Sequence, residues 1–150
     1  MELFSLEVIS QETVIYQDTA ESVTANASEG EVTILAHHTP FFSKLTTGKI
    51  AIRKAGEKTE LVTGSGFIDV SPENKVTILV DSAVRADEID MRKAEEAKNR
   101  AQELLKQKIS RTEILRAEAS LKKAVLELKV ARSRKHHAQP FSPLSDDMLQ

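Results

Sequence analysis

Residues 75–94 read KVTILVDSAVRADEIDMRKA, and the fold turns on the change of rhythm inside them. KVTILV is a short β-rich run with the period of a strand. From Ala94 onward the apolar residues recur at helical spacing: Ala94, Ala97, Ala101 and Leu104, then Ile114, Ala117, Leu121, Ala124, Leu128 and Ala131. A period that changes after Val84 divides the chain into a β part and an α part.

Upstream of the change, LFSLEVI, VIY, SVTANA, VTILA, IAIRK, ELVT and FIDV repeat the strand pattern. Turn chemistry separates them at Ser28-Glu29-Gly30, Ala55-Gly56, Gly64-Ser65-Gly66 and Ser71-Pro72-Glu73-Asn74. Eight or so short strands with no helix pattern between them predict an antiparallel β-sandwich or flattened barrel over residues 1–84. Aromatics are only 4% of the chain and Trp is absent, so its core is aliphatic.

Downstream, Asp87 or Asp90 is placed to cap a first helix, and Ser110-Arg111-Thr112-Glu113 has the form of a capping box opening a second. The short break at residues 108–111 predicts an antiparallel α-helical hairpin over residues 85–135. Its first helix presents mostly Ala, which buries little surface per residue. Such a hairpin is weakly self-stabilised and can dock elsewhere or open. Residues 136–150, HHAQPFSPLSDDMLQ, contain two prolines and no sustained period, and predict a disordered tail.

The formal net charge is −2, but its distribution is uneven. Residues 1–84 carry 6 basic and 12 acidic side chains, whereas residues 108–135 carry 9 and 3. That basic segment is an electrostatic footprint for something acidic. Three readings stand in order: a solvated helix face, an acidic protein surface, and nucleic acid, which the lack of stacking aromatics there disfavours.

The chain has no Cys, which excludes disulfides, thiolate nucleophiles and Cys-ligated zinc. Its start, MELFSLEVIS, alternates like a strand and lacks the basic region of a signal peptide. No run of about 18 apolar residues occurs to span a bilayer, so any membrane contact goes through a partner. The four histidines form two adjacent pairs, His37-His38 and His136-His137. Neighbours on a strand point to opposite faces, and no carboxylate sits at a ligand spacing, so a structural corner at His37-His38 outweighs a metal or catalytic pair. Gly64-Ser65-Gly66 lies between strands and is no nucleophile elbow, and no phosphate-binding glycine motif is present.

The run GEVTILAHHTP, residues 30–40, resembles the G-E-x-x-I-L-x-x-H-x-P signature of the epsilon subunit of bacterial F-type ATP synthases. GSGFIDV at 64–70, VTIL at 76–79 and RADEID at 85–90 are similar to further segments of that family, and the likeness extends over about residues 1–134. The resemblance implies a non-catalytic rotor subunit of the central stalk that requires no cofactor. Its implied partners are the gamma subunit, the c-subunit ring and the alpha and beta subunits, with no nucleic acid. Membrane contact is then only through the complex, at the cytoplasmic face of a bacterial plasma membrane or at a plastid thylakoid.

Ser28, Glu29, Gly30, Glu31 and His38 fall at the implied gamma and c-ring interface. His37 stands where relatives often have Gly. Arg116, Lys122, Lys123, Lys129 and Arg132 would meet acidic segments of beta when the helices extend, restraining ATP hydrolysis. Some members bind ATP in the folded hairpin. Of that motif Ile89, Asp90, Ala94 and Arg100 match here, but Lys93 replaces its arginine, and Lys123 and Glu127 replace two arginines of the second helix. Lys93 keeps the charge and loses the planar fork, and Glu127 would face phosphate unfavourably, so ATP binding is expected to be weak or absent. A β-sandwich adaptor carrying a hairpin in another assembly is the alternative.

Overall fold

In the computed structural model, which describes residues 2–138 and side-chain surroundings through Arg134, ten strands precede two helices. The strands are β1 (Phe4–Ile9), β2 (Val14–Ala20), β3 (Ser22–Ala27), β4 (Gly30–Leu35), β5 (Phe41–Leu45), β6 (Gly48–Lys54), β7 (Glu57–Thr63), β8 (Gly66–Val70), β9 (Lys75–Val80) and β10 (Ala83–Arg85). A 3-10 turn, Ala86–Glu88, leads to α1 (Met91–Leu105) and α2 (Arg111–Ala138). Most of the sequence-predicted tail, residues 139–150, lies outside the described residues. β10 spans the expected boundary at residue 84 and is too short to show a period.

The strands run in the order β10-β7-β6-β3-β5-β8-β9-β1-β2, with β4 alongside β3. One β3–β5 pair, Ala27 with Leu45, joins the two halves. The far edge returns to close the structure: Glu21 N–H donates to the Arg53 carbonyl at 2.8 Å, and Lys54 Nζ meets Asp18 at 2.9 Å. All pairings are antiparallel except β1 with β9, which is parallel. The inward residues of this folded ribbon, among them Phe4, Leu6, Val8, Val23, Ile34, Ile50, Ile52, Leu61, Ile68 and Ile78, form one aliphatic core. Each such side chain contributes about 1.5–3 kcal/mol on burial, and the alternation that places them is the period of two in the sequence.

The alternation gives way most fully in β7. In β7, Leu61, Val62 and Thr63 are all buried in succession. Leu61 faces the main core, whereas Val62 points outward and is covered by α2 in a second cluster. A strand period of two therefore records which part of the sandwich exterior is an interface.

At His37 and His38 the backbone is a turn, not a strand, so opposite-face geometry does not apply there. His37 has φ 59, a conformation that favours glycine. Its N–H donates to Asn74 Oδ1 at 2.7 Å, while Asn74 donates to the Leu3 carbonyl at 2.9 Å. Asn74 thus ties the corner to the N-terminus. Both histidine side chains are exposed, and the corner is structural.

Gly66 has a different constraint. A Cβ there would collide with the Leu79 carbonyl and lie 2.8 Å from Val80 Cα, both backbone atoms of the paired strand. Gly66→Ala is predicted to lower unfolding free energy by about 1–3 kcal/mol, measured as a shift of the urea midpoint at unchanged slope.

Candidate functional site

The hairpin begins at Asp90, whose Oδ1 accepts from the N–H groups of Arg92 at 3.0 Å and Lys93 at 3.3 Å. Ser110 Oγ likewise accepts from Glu113 N–H at 3.2 Å to open α2. Ala94, Ala101, Ala117, Ala124 and Leu128 are buried along the predicted stripes, while Leu104 and Ile114, near the connecting turn, are exposed. The hairpin docks on the sandwich through Val130 and Leu126 of α2, packed with Val62, Val84, Ala86 and Ile89.

One polar tie accompanies this seam, and a second contact joins the two helices to each other. Lys123 Nζ donates to Ser82 Oγ at 2.6 Å, part-buried, and Arg132 lies 4.0 Å from the Glu95 carboxylate. One turn beyond Lys123, Glu127 is half-buried, and burial pushes its carboxyl above the usual value, partly offset by the Lys123 charge. The sequence placed Lys123 and Glu127 on one helix face by their spacing, but not the desolvation of the carboxylate.

The nucleotide-site candidates are spread along the hairpin. Ile89 lies in the docking seam, Ala94 is buried, and Lys93 is exposed. The polar ends of Asp90 and Lys123 are already engaged, in the helix cap and with Ser82. Arg100 lies six residues beyond Ala94, about 9 Å along the helix. There it lines an interhelical cavity of about 370 Å³ with Arg116, Glu113 and apolar residues that include Leu104 and Ile109.

Ser28 and Glu29 form the exposed tip of the β3–β4 hairpin, and Gly30 beside them has φ 135. Glu31 lines a groove between the sandwich and α2 together with Lys49, Lys122 and Lys129. His38 lies past the other end of β4, about 17 Å away at the rise of a strand. The expected interface residues therefore form two separate patches. The His38 ring packs edge-on to Phe41, with centroids 6.1 Å apart.

A third surface was missed in the sequence. Phe42 and Phe67 stack with centroids 5.7 Å apart, and they are 66% and 42% exposed, with Leu79 beside Phe67 at 49%. The signal was there: in F-F at 41–42, one ring must face the core and the other must not. Exposed aromatic pairs on a sheet face mark interaction surfaces. Among the described residues no group of three or more His, Asp or Glu is arranged to hold a metal, and no helix is long and apolar enough to cross a membrane.

A closed sandwich bearing a docked, basic helical hairpin and an exposed aromatic face defines a subunit built for contacts within an assembly. The comparisons make this specific. Residues 3–86 match the ATP synthase delta/epsilon chain β-sandwich domain, and residues 87–132 match the long α-helix domain of the same chain. The protein belongs to the ATP synthase delta/epsilon chain family, a non-catalytic subunit. It is 36% identical over 135 residues to the ATP synthase epsilon chain of Natranaerobius thermophilus, covering 89% of this chain and 95% of the relative. To that of Nitrosomonas europaea it is 39% identical over 127 residues, covering 84% and 90%. A chain in the Euglena gracilis mitochondrial ATP synthase structure of OSCP, F1 and c-ring superposes with a TM-score of 0.68 at 25% identity, covering 90% of this chain and 82% of that one. One in the Tetrahymena thermophila central stalk and c-ring shares the fold, with a TM-score of 0.55 at 16% identity over 85% and 95% of the two chains.

Glu127 generates a pH prediction. Its folded pKa is raised, so its stabilising contribution is complete below the ordinary value near 4.5 and is lost as pH rises through the folded value. Glu127→Gln keeps the shape without the charge. It is predicted to raise the melting temperature at neutral pH, and the advantage is expected to disappear as the pH is lowered past the ordinary carboxylate range.

Proposed function

We propose that the chain is the central-stalk rotor subunit of an F-type ATP synthase, coupling the catalytic sector to the c-ring and restraining ATP hydrolysis through its C-terminal helices. The observation that carries this reading is the docking seam. It consists of a few aliphatic side chains and one polar tie, Lys123 to Ser82, so the hairpin is held by a modest free energy that a competing surface can match.

The basic residues support the same reading. Lys123 and Arg132 are engaged with Ser82 and Glu95 in the docked form, and Arg116, Lys122 and Lys129 line cavities beside α2. Undocking frees Lys123, the one member of the set that is partly covered, and extension of the helix presents it with the four exposed cations to an acidic surface on the beta and alpha subunits. The exposed Phe42, Phe67 and Leu79 face, with His38 near the start of β5, suits a lasting contact with gamma, and the Ser28–Glu31 tip suits the polar loops of the c-ring. The protein then sits at the cytoplasmic face of a bacterial plasma membrane, or at a thylakoid, through the complex.

The test uses the absence of native cysteine. V62C and V130C place a cross-linkable pair in the seam. Added to catalytic sectors depleted of the native subunit, the cross-linked chain is expected to bind without inhibiting ATP hydrolysis, and reduction is expected to restore inhibition. Equal inhibition in both forms would sink the role given to the helices.

The same reading includes weak or absent ATP binding. Lys123 is engaged by Ser82, and the half-buried Glu127 carboxylate lies one turn away, where a phosphate would meet repulsion. Isothermal titration of the full chain with ATP is expected to give no micromolar isotherm, and a micromolar dissociation constant would refute this point.

A further inference from the structure

Past the seam, α2 and the β6–β7 hairpin enclose an open cavity of about 510 Å³. Leu126 and Val130, the α2 residues of the seam, give it an apolar side, and Lys49, Lys58, Lys129 and Arg134 line it with a single carboxylate, Glu60. Lys49 and Lys58 both reach that carboxylate, at 3.1 and 3.4 Å. Burial opposes ionisation of Glu60, but the hydrogen bonds and charges of the two lysines outweigh it and hold its carboxyl below the usual range. Among the described residues, Lys129 and Arg134 have no carboxylate partner. The cavity thus carries an excess of cations beside an apolar side, and it continues along α2 into the groove lined by Lys122 and Glu31.

The chain itself holds a segment of complementary chemistry. Residues 144–149 read LSDDML, two adjacent carboxylates flanked by large apolar side chains. We propose that this segment folds back into the cavity, with Asp146 and Asp147 against Lys58, Lys129 and Arg134 and a flanking apolar side chain on Leu126 and Val130, as an internal latch that keeps the hairpin docked. Reach allows it. From Ala138 back to Lys129 is about 14 Å of helix, whereas the eight residues from Ala138 to Asp146 extend up to about 26 Å.

The consequence deepens the proposed function and rests on it only for regulation. The latch would occupy Lys129, one of the cations assigned to the beta-subunit contact, so tail and partner would compete for the same charge. Docking of the tail is a property of the isolated chain and is tested apart from any effect on ATP hydrolysis.

A nitroxide on Ser145→Cys in the full chain reports proximity by paramagnetic broadening. Selective loss of peak intensity is expected at Lys58, Leu126, Val130 and Arg134, with none at Phe67 and Leu79 on the other half of the sheet. The loss should disappear in the D146N/D147N variant and should weaken in high salt. In unlabelled protein the same double substitution should speed amide exchange of the C-terminal part of α2 about three- to fivefold, the effect of one or two partly exposed charge pairs. No selective broadening, or broadening unchanged in D146N/D147N, overturns the proposal. So does an added acidic peptide that shifts the cavity signals while the tail label leaves them sharp, because the cavity then belongs to another chain.

Discussion

The structure depends on one constraint: the outer face of β7 must be covered. Val62 occupies a position where the strand period calls for an exposed residue, and it is fully buried. It becomes an interior residue only while Val130 and Leu126 lie on it. Exposing so small a seam costs a few kcal/mol by area, comparable to what one well-matched contact surface returns. A larger seam would make the hairpin a permanent part of the sandwich, and none at all would leave α1 and α2 without a defined place.

The helices are suited to such a margin. An Ala-lined first helix allows close approach to α2 yet buries little area, so the hairpin holds together mainly through Leu128 and its alanines. Charge adjusts the balance more than it sets it. The Arg132–Glu95 contact is long and largely exposed, and pairs of this kind contribute at most about 1 kcal/mol. The Lys123–Ser82 hydrogen bond is short and part-buried, and it joins the helix to the connector between β9 and β10. Glu127 works in the opposite direction, because a carboxylate kept from water favours leaving the seam.

Much of this was legible in the sequence because it is local. The change of period after Val84, the Asp90 and Ser110 caps and the turn residues each specify structure within a few residues. Other features are set by partners distant in the chain. Val62 reads like any strand valine until α2 is placed on it, and Phe42 and Phe67 form a patch only once β5 and β8 are paired in register. His37 and His38 looked like strand neighbours because the alternation of β4 seemed to continue through them, whereas the tie to Asn74 puts His37 at positive φ. Likewise the nucleotide-site candidates follow a motif order, and besides the local cap at Asp90 the fold engages Lys123 in a tie to Ser82 that no linear motif contains.

The surfaces are distributed so that one can be used while another is released. Phe67 and Leu79 lie on β8 and β9, in the half of the sheet that ends at β2, whereas Val62 and the hairpin lie on β7, in the half that ends at β10. The Ser28–Glu31 tip projects from β4, off the main path of the sheet. Removing α2 from Val62 therefore leaves the aromatic face untouched and opens the groove only at the Glu31 side of the tip, and the aliphatic core beneath stays closed. The proposed exchange of helix partners on an attached sandwich requires this separation. If the hairpin had docked on Phe42 and Phe67, attachment and release would compete for the same area.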